Sequence, residues 1–169
     1  MTNWTKTKSY KKWSANVQNH KRNTRRVKAK KDPLDMCTQS KTFCKGSKDI
    51  PRKLMPQIYD AAAFAKTIKA KYGVESHRTK KSMNALRPSQ NEINEERVDS
   101  VIEDIKAKKL SHKNPIVISE DGFIVDGHHR WAAYKKYNPE LKIPVLVVEA
   151  PIKDALGLSI AVSPKREAF

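Results

Sequence analysis

The 169-residue sequence has only two cysteines, no long apolar run and few acidic residues in its first half. The two cysteines, Cys37 and Cys44, are expected to be reduced thiols of a cytosolic protein. A zinc half-site that they form with His20 is the alternative, but the six residues between them match no usual ligand spacing. No stretch reaches the length of a membrane span, and the N-terminal residues lack the apolar core of a signal peptide.

The scarcity of acidic residues is confined to one half of the chain. Residues 1–84 contain 22 Lys and Arg against 5 Asp and Glu, whereas residues 85–169 contain 13 of each, so the whole formal charge of +17 lies in the first half. A basic half joined to a neutral half indicates a polyanion-binding arm attached to a domain with another task. Nucleic acid, above all DNA, is the favoured polyanion. An anionic membrane is disfavoured, because no helix of the basic part carries a broad apolar face.

The basic arm is predicted to cover residues 1–53 and to be flexible or to fold on nucleic acid. Its densest charge run, HKRNTRRVKAKK, spans residues 20–31. Aromatic residues are unusual in a purely solubilising tail, so Trp4, Tyr10 and Trp13 are expected to stack on exposed bases. The alternative is a disordered tail that only keeps the protein in solution. The predicted phosphate contacts of the arm are Lys21, Arg22, Arg25, Arg26, Lys28, Lys30 and Lys31.

The chain after residue 53 has the pattern of a mixed α+β protein with a short sheet and packed helices. A helix is predicted over residues 60–72, because apolar side chains recur on one face and Gly73 follows as its end. This helix needs a partner surface and is expected to pack on the domain behind it. The rest of residues 54–84 is predicted to be a connection, in which residues 74–82 form a polar loop.

The compact domain is predicted over residues 85–150, followed by a C-terminal extension over residues 151–169 with a short helix and a tail. Asn94 is a good N-cap, and the two glutamates after it suit the positive end of a helix. The predicted elements are a short strand at 82–86, this helix, a hairpin at 115–127, a helix at 128–137 with Trp131, Tyr134 and Tyr137 facing inward, and a buried strand at 142–150.

The stretch FIVDGHHRWAAY, residues 123–134, runs from an apolar strand through a polar turn into a helix. The turn brings together one carboxylate, two imidazoles and one guanidinium, those of Asp126, His128, His129 and Arg130. A helix start exposes N–H groups, Gly127 lets the backbone approach a ligand, and Arg130 offers a fork of donors suited to phosphate. The pattern therefore favours an anion site, with histidines that can donate or accept near neutral pH.

Other interpretations of this turn stay open. On an ideal helix the adjacent His128 and His129 point about 100° apart, so they are poorly placed to bind one metal ion together. A purely structural interpretation makes Asp126 the N-cap of the helix. A functional interpretation makes the same carboxylate a Mg²⁺ ligand.

Three segments, LRPSQNEINEERVDSVIEDIKA, NPIVISEDGFIVDGHHRWAAY and KIPVLVV, resemble in this order the domain shared by ParB partition proteins and sulfiredoxin, in its ParB-like nuclease branch. The resemblance covers residues 85–149, a little over a third of the chain. It implies a site for a nucleoside triphosphate, ATP or CTP, with Mg²⁺. The residues that it implies as phosphate ligands are Gly127, His128, His129 and Arg130.

The chain departs from the family at several places. Sulfiredoxin has its catalytic cysteine at the position of His128, so that chemistry is excluded. The chromosomal partition proteins carry Gly-Glu-Arg-Arg at the positions of residues 127–130, which here are Gly-His-His-Arg. They also have a helix-turn-helix region, which this chain does not clearly show. Free-serine kinases of the superfamily share Asp-Gly-His-His-Arg, but their catalytic glutamate falls near Gln90, with Glu92 two residues on.

Three functions follow from the resemblance and the charge. We favour a nuclease or NTP hydrolase, with Asp126 or Glu92 holding Mg²⁺ or polarising water and with His128 and His129 as further catalytic candidates. The alternatives are a small-molecule kinase, with a histidine or Glu92 as base, and a non-enzymatic DNA-binding, partition-like factor. The expected setting is cytoplasmic and DNA-associated, with nucleic acid, a nucleotide and a second copy in a homodimer as partners.

Overall fold

The computed structural model describes residues 3–24 and 33–162 and shows the expected α+β class. The helices in these ranges are α1 (Lys8–Thr24), α2 (Met36–Gln39), α3 (Ala61–Tyr72), α4 (Glu95–Lys106), α5 (His128–Tyr137) and α6 (Ile152–Val162). The strands are β1 (Ser76–Ser82), β2 (Ile116–Ser119), β3 (Ile124–Asp126) and β4 (Lys142–Val148). No helix within the described ranges is both long and apolar enough to cross a membrane.

The four strands form one mixed sheet in the order β1-β4-β2-β3. Strand β4 lies parallel to β2 and antiparallel to β1, and β2 and β3 form the predicted hairpin. Both faces of the sheet are covered, which explains why β2 and β4 are nearly continuous apolar runs. One apolar core lies between the sheet and α1, α3 and α6; the other lies between the sheet and α4 and α5.

Several elements predicted from the sequence are confirmed, with their caps. Asp60 caps α3 by accepting from the backbone N–H of Ala63, and Gly73 ends the helix in the left-handed region at φ 67°. The Asn94 side chain accepts from the backbone N–H of Arg97 at 3.1 Å, which caps α4. Residues 151–169 were expected to contain a short helix, which is α6; residues 163–169 lie outside the described part.

Three local predictions are wrong. Residues 74–82 were expected to be a polar loop, yet Ser76–Ser82 form β1. Their polar side chains suit an edge strand, which pairs with β4 on one side only. The strand expected at 82–86 is instead a 3-10 turn over Met83–Ala85. Tyr137, expected to face inward, is 48% exposed because it is the last residue of α5.

The N-terminal region differs from the flexible arm predicted over residues 1–53. Helix α1 packs on α6, and Trp13, only 7% exposed, donates from its indole Nε1 to the carbonyl of Leu54 at 2.6 Å. The Trp4 ring meets Tyr72 edge-on at 6.0 Å between centroids. Trp4 and Trp13 therefore pack against the core and do not stand free in a flexible arm. Helix α1 packs in this way because its apolar side chains recur at helical spacing. The lysines around them obscure this pattern in the sequence.

The predicted phosphate contacts of the arm divide into two groups. Lys21 and Arg22 belong to α1. The others lie outside the described residues: Arg25, Arg26, Lys28, Lys30 and Lys31.

The expectation of reduced cysteines is wrong, and so is the zinc half-site. Cys37 and Cys44 form a disulfide, with their Cα atoms 5.1 Å apart. Helix α2 and the turn after it reverse the chain and bring the two Cα atoms within bonding range. Asp35 fixes the start of this loop, because its side chain accepts from the backbone N–H of Cys37 at 3.0 Å.

Candidate phosphate-binding cleft

The strand-to-helix turn is built around a glycine that no other residue can replace without strain. Strand β3 ends at Asp126, and Gly127 has φ 102°, a conformation that side chains rarely adopt. A Cβ atom on Gly127 would lie 3.0 Å from Nη2 of Arg130 and 3.1 Å from Cγ1 of Ile116. Gly127 is itself the N-cap of α5, so no side chain caps this helix and the interpretation of Asp126 as its N-cap is wrong.

A cleft of about 160 Å³ opens in front of this turn. The box of residues 125–130 forms one side, and residues from distant parts of the chain form the other: Arg52, Met55, Pro56, Gln57, Gln90 and Arg97. Three arginines reach the cleft from three elements, namely the 3-10 turn Arg52–Leu54, α4 and α5. Asp126 supplies the single carboxylate among the residues that line it, so the cleft has a net positive charge.

His128 is a buried, neutral residue that holds a neighbouring loop. It is 4% exposed, and its Nε2 accepts from the backbone N–H groups of Ser89 at 3.1 Å and Gln90 at 3.2 Å. Burial, with a smaller effect of neighbouring His129, lowers the pKa of His128 to about 3. Because Nε2 accepts, the proton of the neutral ring resides on Nδ1. Nε2 is therefore engaged in positioning the Ser89–Gln90 backbone.

His129 is the histidine closer to solvent, and it too is neutral. Its Nε2 accepts from the backbone N–H of Asn94 at 3.2 Å, which places the ring proton on Nδ1. Burial and then the charges of Arg52 and Arg97 lower the pKa of His129 to about 4. Both histidines thus accept a backbone hydrogen bond and stay uncharged at neutral pH.

Arg130 and Asp126 both line the cleft and interact electrostatically. The Arg130 guanidinium donates from Nη1 to the carbonyl of Asn114. Burial lowers the pKa of Arg130, and the Asp126 charge acts in the opposite direction. The Asp126 carboxylate accepts from the backbone N–H of Ile58 at 3.0 Å. Asp126 thus faces a guanidinium and a backbone amide.

Glu92, the other carboxylate proposed for catalysis, does not line the cleft. Its side chain is exposed and accepts from the backbone N–H of Arg52 at 3.3 Å. Gln90, at the place of the kinase glutamate, does line the cleft and is buried, with its amide donating to the Glu92 carbonyl. Glu92 therefore binds the backbone of the 3-10 turn that carries Arg52, outside the lining of the cleft.

Arg52 and Arg97 were not identified from the sequence. Arg52 lies in a basic region where no single residue stands out, and Arg97 is an exposed position of α4. Asn94 marks the start of α4 in the sequence, but nothing local indicates that the first turn of that helix, with Arg97, begins beside His129. Only the tertiary fold reveals that these residues meet the box.

A metal site made by the protein alone does not fit this cleft. Across residues 3–24 and 33–162, no three His, Cys, Asp or Glu side chains come together as a metal would require. Mg²⁺ commonly binds through one or two carboxylates together with phosphate oxygens and waters. Asp126 could share a Mg²⁺ with a bound phosphate.

Comparison of the chain with family models, curated proteins and solved structures gives no match, and the resemblance to the ParB and sulfiredoxin domain stays a prediction.

Proposed function

We propose that the cleft in front of Gly127 binds the phosphate of a nucleotide. The observation that carries this proposal is the convergence of Arg52, Arg97 and Arg130, from three separate elements, on a helix start without a side-chain cap. Guanidinium groups bind phosphate oxygens through paired donors, and the first N–H groups of a helix add a favourable partial charge. The neutral imidazoles fit the same ligand, since ring Nδ1–H groups donate hydrogen bonds.

Titration calorimetry with inorganic phosphate, ATP and CTP, each compared with the corresponding nucleoside, tests this proposal. Replacing Arg97 by Gln should weaken phosphate and nucleotide binding about tenfold or more, because a charge-assisted hydrogen bond is lost. Arg78→Gln is the matched control, since Arg78 is an exposed arginine of the edge strand β1, away from the cleft. Equal weakening by both variants would show general charge attraction and contradict a defined site.

A phosphoryl-transfer reaction, as a nuclease or NTP hydrolase, is a second proposal for the same cleft. It is favoured by Asp126, the carboxylate in the lining, which would hold Mg²⁺ together with the phosphate. Bound Mg²⁺ supplies charge stabilisation of the transferring phosphoryl group. Arg130 would keep the Asp126 carboxylate in place, as the backbone N–H of Ile58 does on its other side.

Supercoiled plasmid incubated with Mg²⁺, with and without each nucleoside triphosphate, separates the candidate reactions. Plasmid nicking and phosphate release are followed together, for the wild type and for Asp126→Asn. We expect Asp126→Asn to abolish turnover. Nucleotide turnover without nicking would favour a kinase or a nucleotide switch, and neither activity would favour a DNA-binding factor without catalysis.

Nucleic acid is the proposed macromolecular partner, and DNA is the favoured kind. The supporting observation is the excess of 17 positive charges in residues 1–84, since charge of this size releases counterions from a polyanion on binding.

A further inference from the structure

A second cavity, of about 360 Å³, lies between α1 and α6, apart from the phosphate cleft. Three lysines from separate segments line it: Lys21 of α1, Lys48 of the loop after the disulfide, and Lys153 of α6. The described residues that line it include no carboxylate. We call this cavity the α1–α6 groove.

The floor of the groove is apolar and fixed. It consists of buried side chains from α1, α6 and the chain near Ile50, namely Trp13, Val17, Ile50, Ile152 and Leu156. The indole N–H of Trp13 is bonded to Leu54, so this ring offers the groove only apolar surface. Tyr10 stands half-buried beside it, with 5.9 Å between the ring centroids.

The two helices that form the walls are closely packed, so the groove exists before any ligand arrives. A Cβ atom on Gly157 would lie 2.8 Å from Nε1 of Trp4 and 3.0 Å from Cε2 of Tyr10. Lys48 is anchored as well: its ammonium lies 4.5 Å from the centre of the Phe123 ring, and its backbone N–H donates to Ser89 at 3.2 Å. A preformed site loses less entropy on binding than a flexible one.

The groove and the phosphate cleft are adjacent along the chain. Lys48 and Ile50 line the groove, whereas Arg52 lines the cleft. Two residues of chain span at most about 7 Å. The groove thus lies close to the cleft along the chain but has its own three lysines, from three segments, and such a spread of charges suits a chain of phosphates better than one isolated anion.

From these observations we propose that the α1–α6 groove binds single-stranded nucleic acid. The phosphates contact Lys21, Lys48 and Lys153, while a base lies on the apolar floor beside Tyr10. A duplex keeps its bases stacked and paired, so it cannot present a base face to the floor. The proposal deepens the proposed nucleic-acid association and does not depend on the phosphate cleft.

Fluorescence anisotropy with a labelled single-stranded oligonucleotide, measured over a range of salt concentrations, tests the groove. The double variant Lys48→Gln, Lys153→Gln should lower the magnitude of the slope of log affinity against log salt by about 1.4, since each phosphate contact contributes about 0.7 for single strands. The matched control is Lys66→Gln, Lys71→Gln, two exposed lysines of α3 that do not line the groove. We expect that pair to leave the slope nearly unchanged.

Tyr10→Leu tests the apolar half of the site, because it keeps an apolar side chain against α6 but removes the aromatic face. It should weaken oligonucleotide binding about fivefold or more, with little effect on any residual binding of the same sequence as a duplex. Melting temperatures verify that this variant folds. If it does not fold, the lysine pair alone decides.

The outcomes are distinguishable. Equal slopes for the two lysine pairs, or duplex binding as tight as single-strand binding, would overturn the groove as a single-strand site while leaving the nucleic-acid association intact. The Lys48 and Lys153 variant is also tested with anionic phosphatidylglycerol vesicles. If it loses binding to the vesicles but not to the oligonucleotide, the partner is a membrane and the proposal is overturned. No binding of the wild type to the single strand would overturn the groove, and no binding to the duplex either would overturn the association as well. Arg97→Gln should retain oligonucleotide binding even where it loses nucleotide.

Discussion

His128 and His129 are neighbours in the chain, yet each imidazole is bonded to the backbone of a different part of one segment. His128 accepts from Ser89 and Gln90, and His129 accepts from Asn94. A proton on either Nε2 would replace an acceptor by a donor that faces an N–H group. The pair therefore tolerates only the neutral form, and it ties residues 89–94 to the start of α5.

The first prediction is a loss of stability in weak acid that depends on His128. Its pKa is about 3 in the folded protein and near 6.5 in the unfolded chain, so above pH 6.5 both states are neutral and its contribution to stability is complete. As the pH falls below 6.5, only the unfolded state binds the proton, and the free energy of unfolding decreases by about 2 kcal/mol at pH 5. Urea unfolding at pH 7.5 and pH 5.0 measures this effect.

His128→Gln should lose much of this pH dependence, whereas His112→Gln, at an exposed position, should keep it. His129 acts in the same direction, because its pKa is also lowered, to about 4, so some dependence persists in the first variant. An unfolding free energy that is equal at the two pH values in the wild type would contradict the neutral, buried state of His128.

Gly127→Ala is predicted to destabilise the turn between β3 and α5. The new Cβ would meet Arg130 and Ile116 at about 3 Å and hold a left-handed backbone, so we expect at least about 1 to 2 kcal/mol of destabilisation and weaker phosphate binding. Gly46→Ala is the matched control, because Gly46 also has a positive φ, 81°, but its Cβ would meet nothing closer than 3.7 Å. Thermal melting and phosphate titration of the two variants separate crowding at the turn from backbone strain alone.

Among the secondary-structure elements, the loop closed by the disulfide is hydrogen-bonded to residues 89–94, the same segment that His128 and His129 bind. Before the disulfide, the backbone N–H of Met36 donates to the carbonyl of Ile93 at 2.8 Å; after it, Lys48 donates to Ser89 at 3.2 Å. The loop closed by Cys37 and Cys44 is thus bonded on both sides to residues 89–94. Phe43, within this loop, also packs on Trp131 of α5, with 5.3 Å between ring centroids.

Reduction of the disulfide by a dithiol reagent, which is itself oxidised as two thiols form, is therefore predicted to weaken the cleft. Closing a loop this short stabilises a protein by about 2 to 3 kcal/mol, so reduction should lower the melting temperature. Phosphate affinity should fall as well, because the hydrogen bonds between this loop and residues 89–94 are weakened. The double variant Cys37→Ala, Cys44→Ala should behave like the reduced wild type and be insensitive to the reagent. Unchanged phosphate affinity on reduction would show that the loop and the cleft are independent.

Sequence periodicity located the elements whose apolar residues define one face. Asn94 marked the start of α4 and Gly73 the end of α3, because caps depend on the adjacent residues alone. Strand β1 was missed, since an edge strand such as Ser76–Ser82 needs neither apolar alternation nor burial. Helix α1 was missed because its buried residues, Trp13 and Val17, are surrounded by lysines and because its partner surface on α6 lies far away in the sequence.

The candidate site, too, could be predicted from the sequence only in part. The box of residues 125–130 is continuous in the sequence, and its glycine and polar residues mark it as a turn and a candidate anion site. Arg52 and Arg97 come from other elements and carry no local pattern, so only their tertiary positions place them in the cleft. The neutrality of the histidines follows from burial and from those arginines, and neither is visible in the sequence.

At the scale of the whole molecule, the basic half is no longer separable from the neutral half. Residues 1–53 include Trp13, Val17 and Ile50 of the core, and they also include Lys48 of the groove. Removing them would expose the apolar surface of α6, at a cost of about 1.5 to 3 kcal/mol for each large side chain lost. Such a deletion would change stability together with binding, so it cannot measure the contribution of charge alone.

Neutralising the charges of residues 25–31 measures the contribution of charge without removing core residues. Residues 25–31 carry five of the chain's positive charges, and they can be changed together to glutamine as Arg25→Gln, Arg26→Gln, Lys28→Gln, Lys30→Gln and Lys31→Gln. If this run contacts phosphates, the slope of log affinity for single strands against log salt should fall in magnitude by up to about 3.5, at about 0.7 for each contact. We expect no change in phosphate titration at the cleft, since that site is built from other residues.

Combining the five substitutions with the Lys48 and Lys153 pair shows whether the run and the groove engage one strand at distinct phosphates. Distinct contacts make the two reductions in slope add, because each contact releases its own counterions. A combined reduction no larger than that of the five substitutions alone would mean that the run supplies all the counterion release and the groove none. Anisotropy at four or more salt concentrations, for the wild type, each variant and their combination, measures all these slopes on the same oligonucleotide.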